Sequence, residues 1–273
     1  MRFFAGDRVL NVQKASVFVE NNGTEIEKYR LSFLLGKERD DRIPLTYLKG
    51  LQNSDGGFPY NNQKDRPSCI NATCVDLSLV IELGLESSDV SRKVVDYLFK
   101  VQRNDGSWTE NEEIKQYDPP FWDLPNDLNT TMWLTANTAS LLMQLGYRNS
   151  RVVEKAAEFL LMNRDNSGKF AGFLLSTVIS IEVFAKLKGK DSDIVKEVLK
   201  ILEENAEKID STWCLESLHI AGISAENPVA GKCIEKLVAA QENDGSWKSG
   251  DEKESAVYNT LNALKALRKY KIW

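Results

Sequence analysis

Gln102-Arg103-Asn104-Asp105-Gly106-Ser107-Trp108 is the stretch of this 273-residue sequence that decides the fold. It returns almost unchanged as Gln241-Glu242-Asn243-Asp244-Gly245-Ser246-Trp247. A third copy, Gln52-Asn53-Ser54-Asp55-Gly56-Gly57-Phe58, keeps the glutamine, the Asp-Gly pair and a terminal aromatic residue. A unit that recurs in this way is typical of a repeat protein, in which each copy contributes to one shared core.

Each heptad follows an amphipathic run and is expected to end a helix. Asn and Gly tolerate the left-handed backbone of a helix C-cap. The glutamine offers a donor and an acceptor to the open backbone groups at that end, and the terminal aromatic side chain can cover the turn. We therefore interpret six heptad residues as structural: Gln52, Phe58, Gln102, Trp108, Gln241 and Trp247.

The pattern Gln-x-x-Asp-Gly-x-Trp resembles the QW repeat of squalene-hopene cyclases and other terpenoid cyclases. It is similar also to the repeats of protein prenyltransferase β subunits. The resemblance covers roughly residues 43 to 270. It implies an all-α fold, an α/α toroid of five to six helical hairpins whose inner helices surround an apolar cavity. The implied function is recognition of an isoprenoid, either a prenyl diphosphate or a terpenoid.

Apolar periodicity predicts five pairs of helices behind this repeat. The second helix of each pair is more apolar, as expected of an inner helix buried on both sides. One array of this kind predicts a single domain over residues 1–273. The predicted pairs are 44–52 with 71–84, 90–102 with 133–146, 150–163 with 172–188, 192–207 with 210–222, and 227–241 with 254–269.

Residues 1–42 carry no heptad and form an atypical N-terminal segment. The spacing of apolar residues predicts a helix over residues 24–35, with Gly36 as its stop. Residues 9–20 alternate weakly and have some strand character. We interpret the segment as a partial first hairpin.

Composition limits the classes of partner and compartment. The net charge is −5 with no sustained basic run, which disfavours nucleic-acid binding. No apolar run reaches the ~20 residues of a transmembrane helix, and the apolar start is too short for a signal peptide. Four cysteines in a chain of this length do not form a disulfide scaffold. A cytoplasmic protein is the expectation.

The catalytic motifs of the resembled families are incomplete in this sequence. Residues 127–131, Asp-Leu-Asn-Thr-Thr, resemble a variant of the acid motif of class II cyclases, but Asn129 replaces the middle aspartate, and an amide cannot donate that proton. In the stretch that corresponds to the zinc-binding histidine of the prenyltransferases, Asn259 replaces the histidine. A catalytic zinc needs three protein ligands, so we expect no zinc.

The loop over residues 117–127 is long and holds three aspartates and three aromatic residues. In one interpretation it caps the cavity, with aromatic faces of Trp122 and Trp133 towards an isoprenoid cation. Asp123 and Asp127 would then hold Mg²⁺ with a diphosphate, which makes magnesium a possible cofactor. In the other interpretation it is a rigid surface loop, and Asp127 is a helix N-cap.

The candidate site residues follow from these interpretations. The candidate catalytic acids are Asp127, Asp123 and Asp210, and Asp210 has the N-cap as its alternative role. The candidate substrate-binding residues are Trp122, Trp133, Trp213, Phe173, Tyr258 and Asn259.

Three functions remain open at this point. The first is an isoprenoid-binding enzyme related to terpenoid cyclases or prenyltransferases. The second is a lipid-binding protein, or a scaffold or subunit with a protein partner, that has a degenerate active site. The third is an unrelated α/α-barrel enzyme that acts on carbohydrate, which would need paired carboxylates at one cleft. The heptads favour the first two.

Overall fold

A computed structural model describes residues 10–37, 39–248 and 255–273 of the protein. In these ranges the chain is mostly helical, with one short antiparallel ribbon of β1 (Phe58–Pro59) and β2 (Ser68–Cys69). The α-helices are α1 (Val12–Asn22), α2 (Glu25–Leu34), α3 (Arg42–Leu51), α4 (Ile70–Glu82), α5 (Asp89–Val101), α6 (Leu128–Gln144), α7 (Arg151–Met162), α8 (Leu174–Lys188), α9 (Asp193–Glu204), α10 (Ser211–Ile220), α11 (Pro228–Ala239) and α12 (Ser255–Lys269). The predicted all-α fold class of five to six helical hairpins is confirmed.

The chain forms two compact units, each with its own packing. The middle unit is Leu45–Ile201, and the terminal unit combines Met1–Pro44 with Leu202–Trp273. In the middle unit the apolar helices α4, α6 and α8 pack side by side, and α5 and α7 pack against them. In the terminal unit α12 packs against α1, α2 and α10, and α11 packs against α10.

In the middle unit the heptad glutamines tie consecutive outer helices together. Gln52 Nε2 donates to the carbonyl oxygens of Gly56 (2.9 Å) and Val90 (3.1 Å). Gln102 Nε2 likewise donates to Gly106 (2.9 Å) and Val152 (2.8 Å). Val90 and Val152 lie in the first turns of α5 and α7. Each glutamine therefore joins the turn that ends one outer helix to the start of the next one.

The heptad glycines allow this close approach of backbone to backbone. Gly106 has a φ of +91°, and a Cβ added there would lie 2.3 Å from the carbonyl oxygen of Lys155 in α7. A Cβ at Gly56, with a φ of +96°, would lie 2.3 Å from the carbonyl oxygen of Lys93 in α5. Only glycine satisfies both the backbone angle and the contact.

The heptad at residues 241–247 makes the same contacts with the N-terminal segment, inside the terminal unit. Gln241 Nε2 donates to the carbonyl oxygen of Asn11 (3.0 Å), and Gln241 Oε1 accepts from the Asn11 N–H (2.8 Å). A Cβ at Gly245 would lie 2.4 Å from the backbone nitrogen of Ala15. Asn11 is the N-cap of α1, so this heptad binds the start of α1 in the way that the other two heptads bind the starts of α5 and α7.

The strand character suggested for residues 9–20 is therefore wrong for the part that the structure describes, since Val12–Asn22 is helix α1. Ala15 and Val19, one turn apart, are fully buried. Burial of this apolar face outweighs the weak intrinsic preference of valine for strands. Helix α2 follows directly, with a capping box formed by Thr24 and Glu27.

A threonine hydroxyl in each of four inner helices accepts a hydrogen bond from the backbone N–H of the aromatic residue that ends a turn. The Trp108 N–H donates to Thr135 Oγ1 in α6 at 3.0 Å, and the Trp247 N–H donates to Thr260 Oγ1 in α12 at 3.0 Å. The same bond joins Phe58 to Thr73 in α4 (2.9 Å) and Phe170 to Thr177 in α8 (3.3 Å). These bonds fix the register between each turn and its inner helix.

Candidate acid site in the middle unit

The sequence-predicted site residues fall in both units. Asp123, Asp127, Trp122, Trp133 and Phe173 belong to the middle unit, whereas Asp210, Trp213, Tyr258 and Asn259 belong to the terminal unit.

Asp127 and Asp210 both serve as helix N-caps. Asp127 Oδ1 accepts from the N–H of Thr130 at 3.0 Å, at the start of α6. Asp210 Oδ1 accepts from the N–H of Trp213 at 2.9 Å, at the start of α10. Each carboxylate thus satisfies an amide that the helix leaves open.

Asp123 has a different environment. It ends a short 3-10 turn, Phe121–Asp123, and only 4% of its surface is exposed. Its Oδ1 accepts one hydrogen bond, from Asn71 Nδ2 at 2.9 Å. Burial raises the pKa of Asp123 to about 6, and the bond from Asn71 opposes the rise. This carboxyl group can therefore carry a proton at mildly acidic pH.

Glu110 is the residue of this site that sequence reasoning missed. Its two carboxylate oxygens accept from the backbone N–H groups of Ile70 and Asn71, both at 2.7 Å. Cys69, at the N-cap position of α4, makes no capping bond with its side chain, so Glu110 caps the helix from outside it. Burial raises the pKa of Glu110 to about 8, against the lowering effect of the two amides.

Glu110, Asn71 and Asp123 form one connected set, which we call the acid site. Glu110 fixes the backbone of Asn71, and the side chain of Asn71 holds Asp123. The negative charge of Asp123 is a further cause of the raised pKa of Glu110, so the two carboxyl groups interact electrostatically. No local pattern marks Glu110, because its partners lie about 40 residues earlier in the chain.

A small buried cluster borders the acid site. Tyr60 and Cys69 are buried with Ile114 in one small cluster, and Tyr117 packs against it. The rings of Tyr60 and Tyr117 stack with centroids 5.9 Å apart. Burial, and secondly Asp123, raises the pKa of the Tyr60 phenol, while Arg66 opposes that rise. Charges in such a low-dielectric setting act strongly on one another.

An apolar surface lies open beside the acid site. Asn71 and Val75 are one turn apart on the same face of α4, and 42% of Val75 is exposed. In the turn that carries Asp123, Phe121 is 64% and Trp122 46% exposed. The Phe121 ring meets the rings of Trp122 and Phe173 edge to face, at 4.9 and 5.7 Å. Exposed aromatic clusters of this kind mark ligand-binding or interaction surfaces.

Trp133 is the buried residue that holds this aromatic surface in place. It is buried in α6, and its Nε1 donates to the carbonyl oxygen of Trp122 at 3.0 Å. This bond anchors the turn that carries both the aromatic surface and Asp123.

The other candidate substrate-binding residues lie in the terminal unit. Trp213 and Tyr258 are each partly exposed, and Asn259 is half-buried. The guanidinium of Arg30 lies 5.8 Å from the centroid of the Tyr258 ring, and Arg30 Nη2 donates to Asn262 Oδ1 at 3.0 Å. Tyr258 is thus paired with a cation of its own unit.

Each of the two carboxylates proposed for magnesium already accepts a hydrogen bond from the protein. Asp123 faces an amide donor, and Asp127 caps α6. Across residues 10–37, 39–248 and 255–273 no group of three or more His, Cys, Asp or Glu side chains could hold a metal ion. In the same ranges no helix is long and apolar enough to cross a bilayer.

Comparison with solved structures adds relatives of the same fold. A crystal structure of a protein from Actinoplanes is similar over 94% of this chain and 88% of its own, with 17% identity and a TM-score of 0.60. The type II terpene cyclase MstE from Scytonema is similar over 90% of this chain and 88% of its own, with 14% identity and a TM-score of 0.60.

A variant of MstE bound to its substrate, geranylgeranyl dihydroxybenzoate, is similar over 94% of this chain and 86% of its own, with 13% identity and a TM-score of 0.60. No protein-family model and no curated protein sequence matches the chain. At these identities the likeness shows the fold, that of a type II terpene cyclase, and that alone.

Proposed function

We propose that this protein is a terpenoid-cyclase-like enzyme that binds an isoprenoid at the aromatic surface of the middle unit and starts cyclisation by proton transfer from Asp123. The observation that carries the proposal is the position of Asp123. A buried carboxyl group with a raised pKa ends the very turn that exposes Phe121 and Trp122. A proton donor to an alkene needs a dry setting and a raised pKa.

The reaction begins with the protonated form of Asp123. Its carboxyl proton is transferred to one carbon of a carbon–carbon double bond, and the other carbon becomes a tertiary cation. A second double bond of the same chain attacks that cation and closes a ring. The last cation loses a proton to solvent, so the product is an isomer of the substrate and Asp123 regains its proton from water.

The neighbours of Asp123 have two roles in this scheme. Asn71 donates to Oδ1 at 2.9 Å and thereby orients the carboxyl group, and Glu110 holds Asn71 in place. The faces of Phe121, Trp122 and Phe173 carry negative quadrupole charge, which stabilises a cation close to them. Asn71 and Glu110 are positioning residues, whereas Asp123 touches the reacting atoms.

The alternative is a protein that binds an isoprenoid or another lipid without turnover, or that acts as a subunit or scaffold for a protein partner. The missing aspartate at Asn129 is the observation that favours it. The two functions share the binding surface and differ only in the proton transfer, so one experiment separates them.

The experiment is product analysis by mass spectrometry after incubation with geranylgeranyl dihydroxybenzoate or geranylgeranyl diphosphate. The proposal predicts a cyclic isomer from the native protein and a loss of at least 100-fold in its rate with Asp123→Asn. Asp127→Asn is the matched control, because asparagine caps a helix as well as aspartate does. Binding of both probes without any cyclic product would instead support the lipid-binding function, and binding of neither would leave the scaffold or subunit function.

A further inference from the structure

Arg66 lies against the tyrosine pair that borders the acid site. The guanidinium carbon of Arg66 is 4.4 Å from the ring centroid of Tyr117 and 5.7 Å from that of Tyr60. In the part of the chain that the structure describes, Arg66 forms no ion pair with an aspartate or glutamate. Asp123 raises and Arg66 lowers the pKa of the Tyr60 phenol, so both charged groups act on this one side chain.

The backbone around Arg66 is held firmly. Asn53 of the first heptad donates through Nδ2 to the Arg66 carbonyl oxygen (3.0 Å) and to Ser68 Oγ (2.9 Å). The Arg66 N–H donates to the carbonyl oxygen of Gln63 at 3.3 Å. The turn before it carries left-handed backbone at Asp65, with a φ of +68°. Arg66 is half-buried, so its side chain is not a freely moving surface group.

Packing against rings leaves the recognition chemistry of arginine intact. An aromatic ring that stacks on a guanidinium covers its face, whereas the five N–H donors lie in the plane and point outwards at the edges. Those edges match the two oxygens of a carboxylate or the oxygens of a phosphate. A half-buried cation that forms no ion pair within the described residues gains most from such an anion, because the site is poorly solvated.

We infer that Arg66, seated on Tyr60 and Tyr117, is the binding site for a terminal oxyanion, so that the ligand is an isoprenoid with a carboxylate or phosphate head group. This inference rests on the proposed function for the apolar part of the ligand. Arg66 makes the site specific for an anionic head group. An isoprenoid folded for cyclisation can place its head group at Arg66 and its reacting double bond at Asp123 within one site.

The test compares ligands that differ only in head-group charge. Geranylgeranoic acid, its methyl ester and geranylgeranyl monophosphate are titrated into the full chain, with dissociation constants from isothermal calorimetry. We expect the acid to bind at least 10-fold more tightly than the ester. The arm with the monophosphate identifies the source of the oxyanion, since the tighter of the two anions is the better match for the site.

Substitutions at Arg66 then assign the discrimination to this residue. Arg66→Gln should bind the acid and the ester equally, with the affinity for the ester unchanged. Arg66→Lys keeps the charge but loses the planar fork, and should retain only part of the preference. Arg92→Gln, on the exposed face of α5, is the matched control and should keep the full preference. Circular dichroism and the retained binding of the ester show that each variant is folded.

Two results would overturn the inference: equal affinity of the native protein for acid and ester, or an undiminished preference in Arg66→Gln. A separate readout, cyclisation activity, tests the proposed function. Asp123→Asn should lose cyclisation while it keeps the preference for the acid. Tight, Arg66-dependent binding of the acid with no cyclic product from any probe would contradict the proposed function and leave this inference standing.

Discussion

Trp108→Ala tests whether the heptad holds the middle unit together. The Trp108 side chain is fully buried, its Nε1 donates to the carbonyl oxygen of Leu98 at 2.8 Å, and its backbone N–H is bonded to Thr135. Removal of a buried aromatic ring costs about 3–5 kcal/mol. Leu98 lies in the last turn of α5, so its carbonyl oxygen loses the indole N–H as its donor. Leaving this buried acceptor without a partner adds about 1–3 kcal/mol to the loss of stability.

The assay is urea unfolding followed by circular dichroism, with the change in unfolding free energy taken from the midpoint shift. We expect Trp108→Ala to lose about 4–8 kcal/mol and Trp108→Phe, which keeps a ring, to lose about 1–3 kcal/mol. Trp122→Ala, at a partly exposed position, should change stability by less than about 1 kcal/mol. A loss below about 1 kcal/mol for Trp108→Ala would refute the reasoning.

Three further predictions concern backbone contact and proton binding. Gly106→Ala should destabilise the protein by at least ~2 kcal/mol more than Gly146→Ala, because both glycines have positive φ but only Gly106 lies against another backbone; equal midpoints in urea would contradict this. Burial raises the pKa of Asp76 to about 7, well above the ~3.9 of the unfolded chain, so the stability that this group contributes is complete below pH ~3.9 and is lost as the pH rises through about 7. The melting temperature of Asp76→Asn relative to the native protein should therefore rise between pH 5 and pH 8, and a constant difference would show that the carboxyl group does not titrate. Because Asp123 acts in its protonated form, the cyclisation rate should fall about tenfold per pH unit above pH ~6, and a rate independent of pH between 5 and 8 would exclude this acid.

The heptads predict the helix ends well because all of their residues act within one turn of the chain. Turn, glycine and glutamine lie within seven residues, so a pattern in the sequence reports directly on one helix end. No sequence pattern marks the four threonines that accept a hydrogen bond from the aromatic residue that ends a turn, since the distance along the chain from that residue to its threonine varies widely. It is 15 residues from Phe58 to Thr73, 27 from Trp108 to Thr135, and only 7 from Phe170 to Thr177.

The N-terminal helix depended on a contact from the other end of the chain. Gln241 binds Asn11 across 230 residues, and no local signal in residues 9–20 reveals it. For the same reason the sequence predicts only part of the acid site. The aromatic loop drew attention to Asp123 by its composition, but Glu110 gains its role only through α4, which the sequence separates from it.

Incubation in D₂O with geranylgeranyl dihydroxybenzoate, followed by mass spectrometry of the product, tests the central claim most directly. Proton transfer from Asp123 to a double bond adds one solvent-derived hydrogen, and the closing step releases one hydrogen from carbon. The account predicts a cyclic isomer one mass unit heavier than the substrate, absent with Asp123→Asn and present with Asp127→Asn. A cyclic product without deuterium, or the same labelled product from Asp123→Asn, would contradict it.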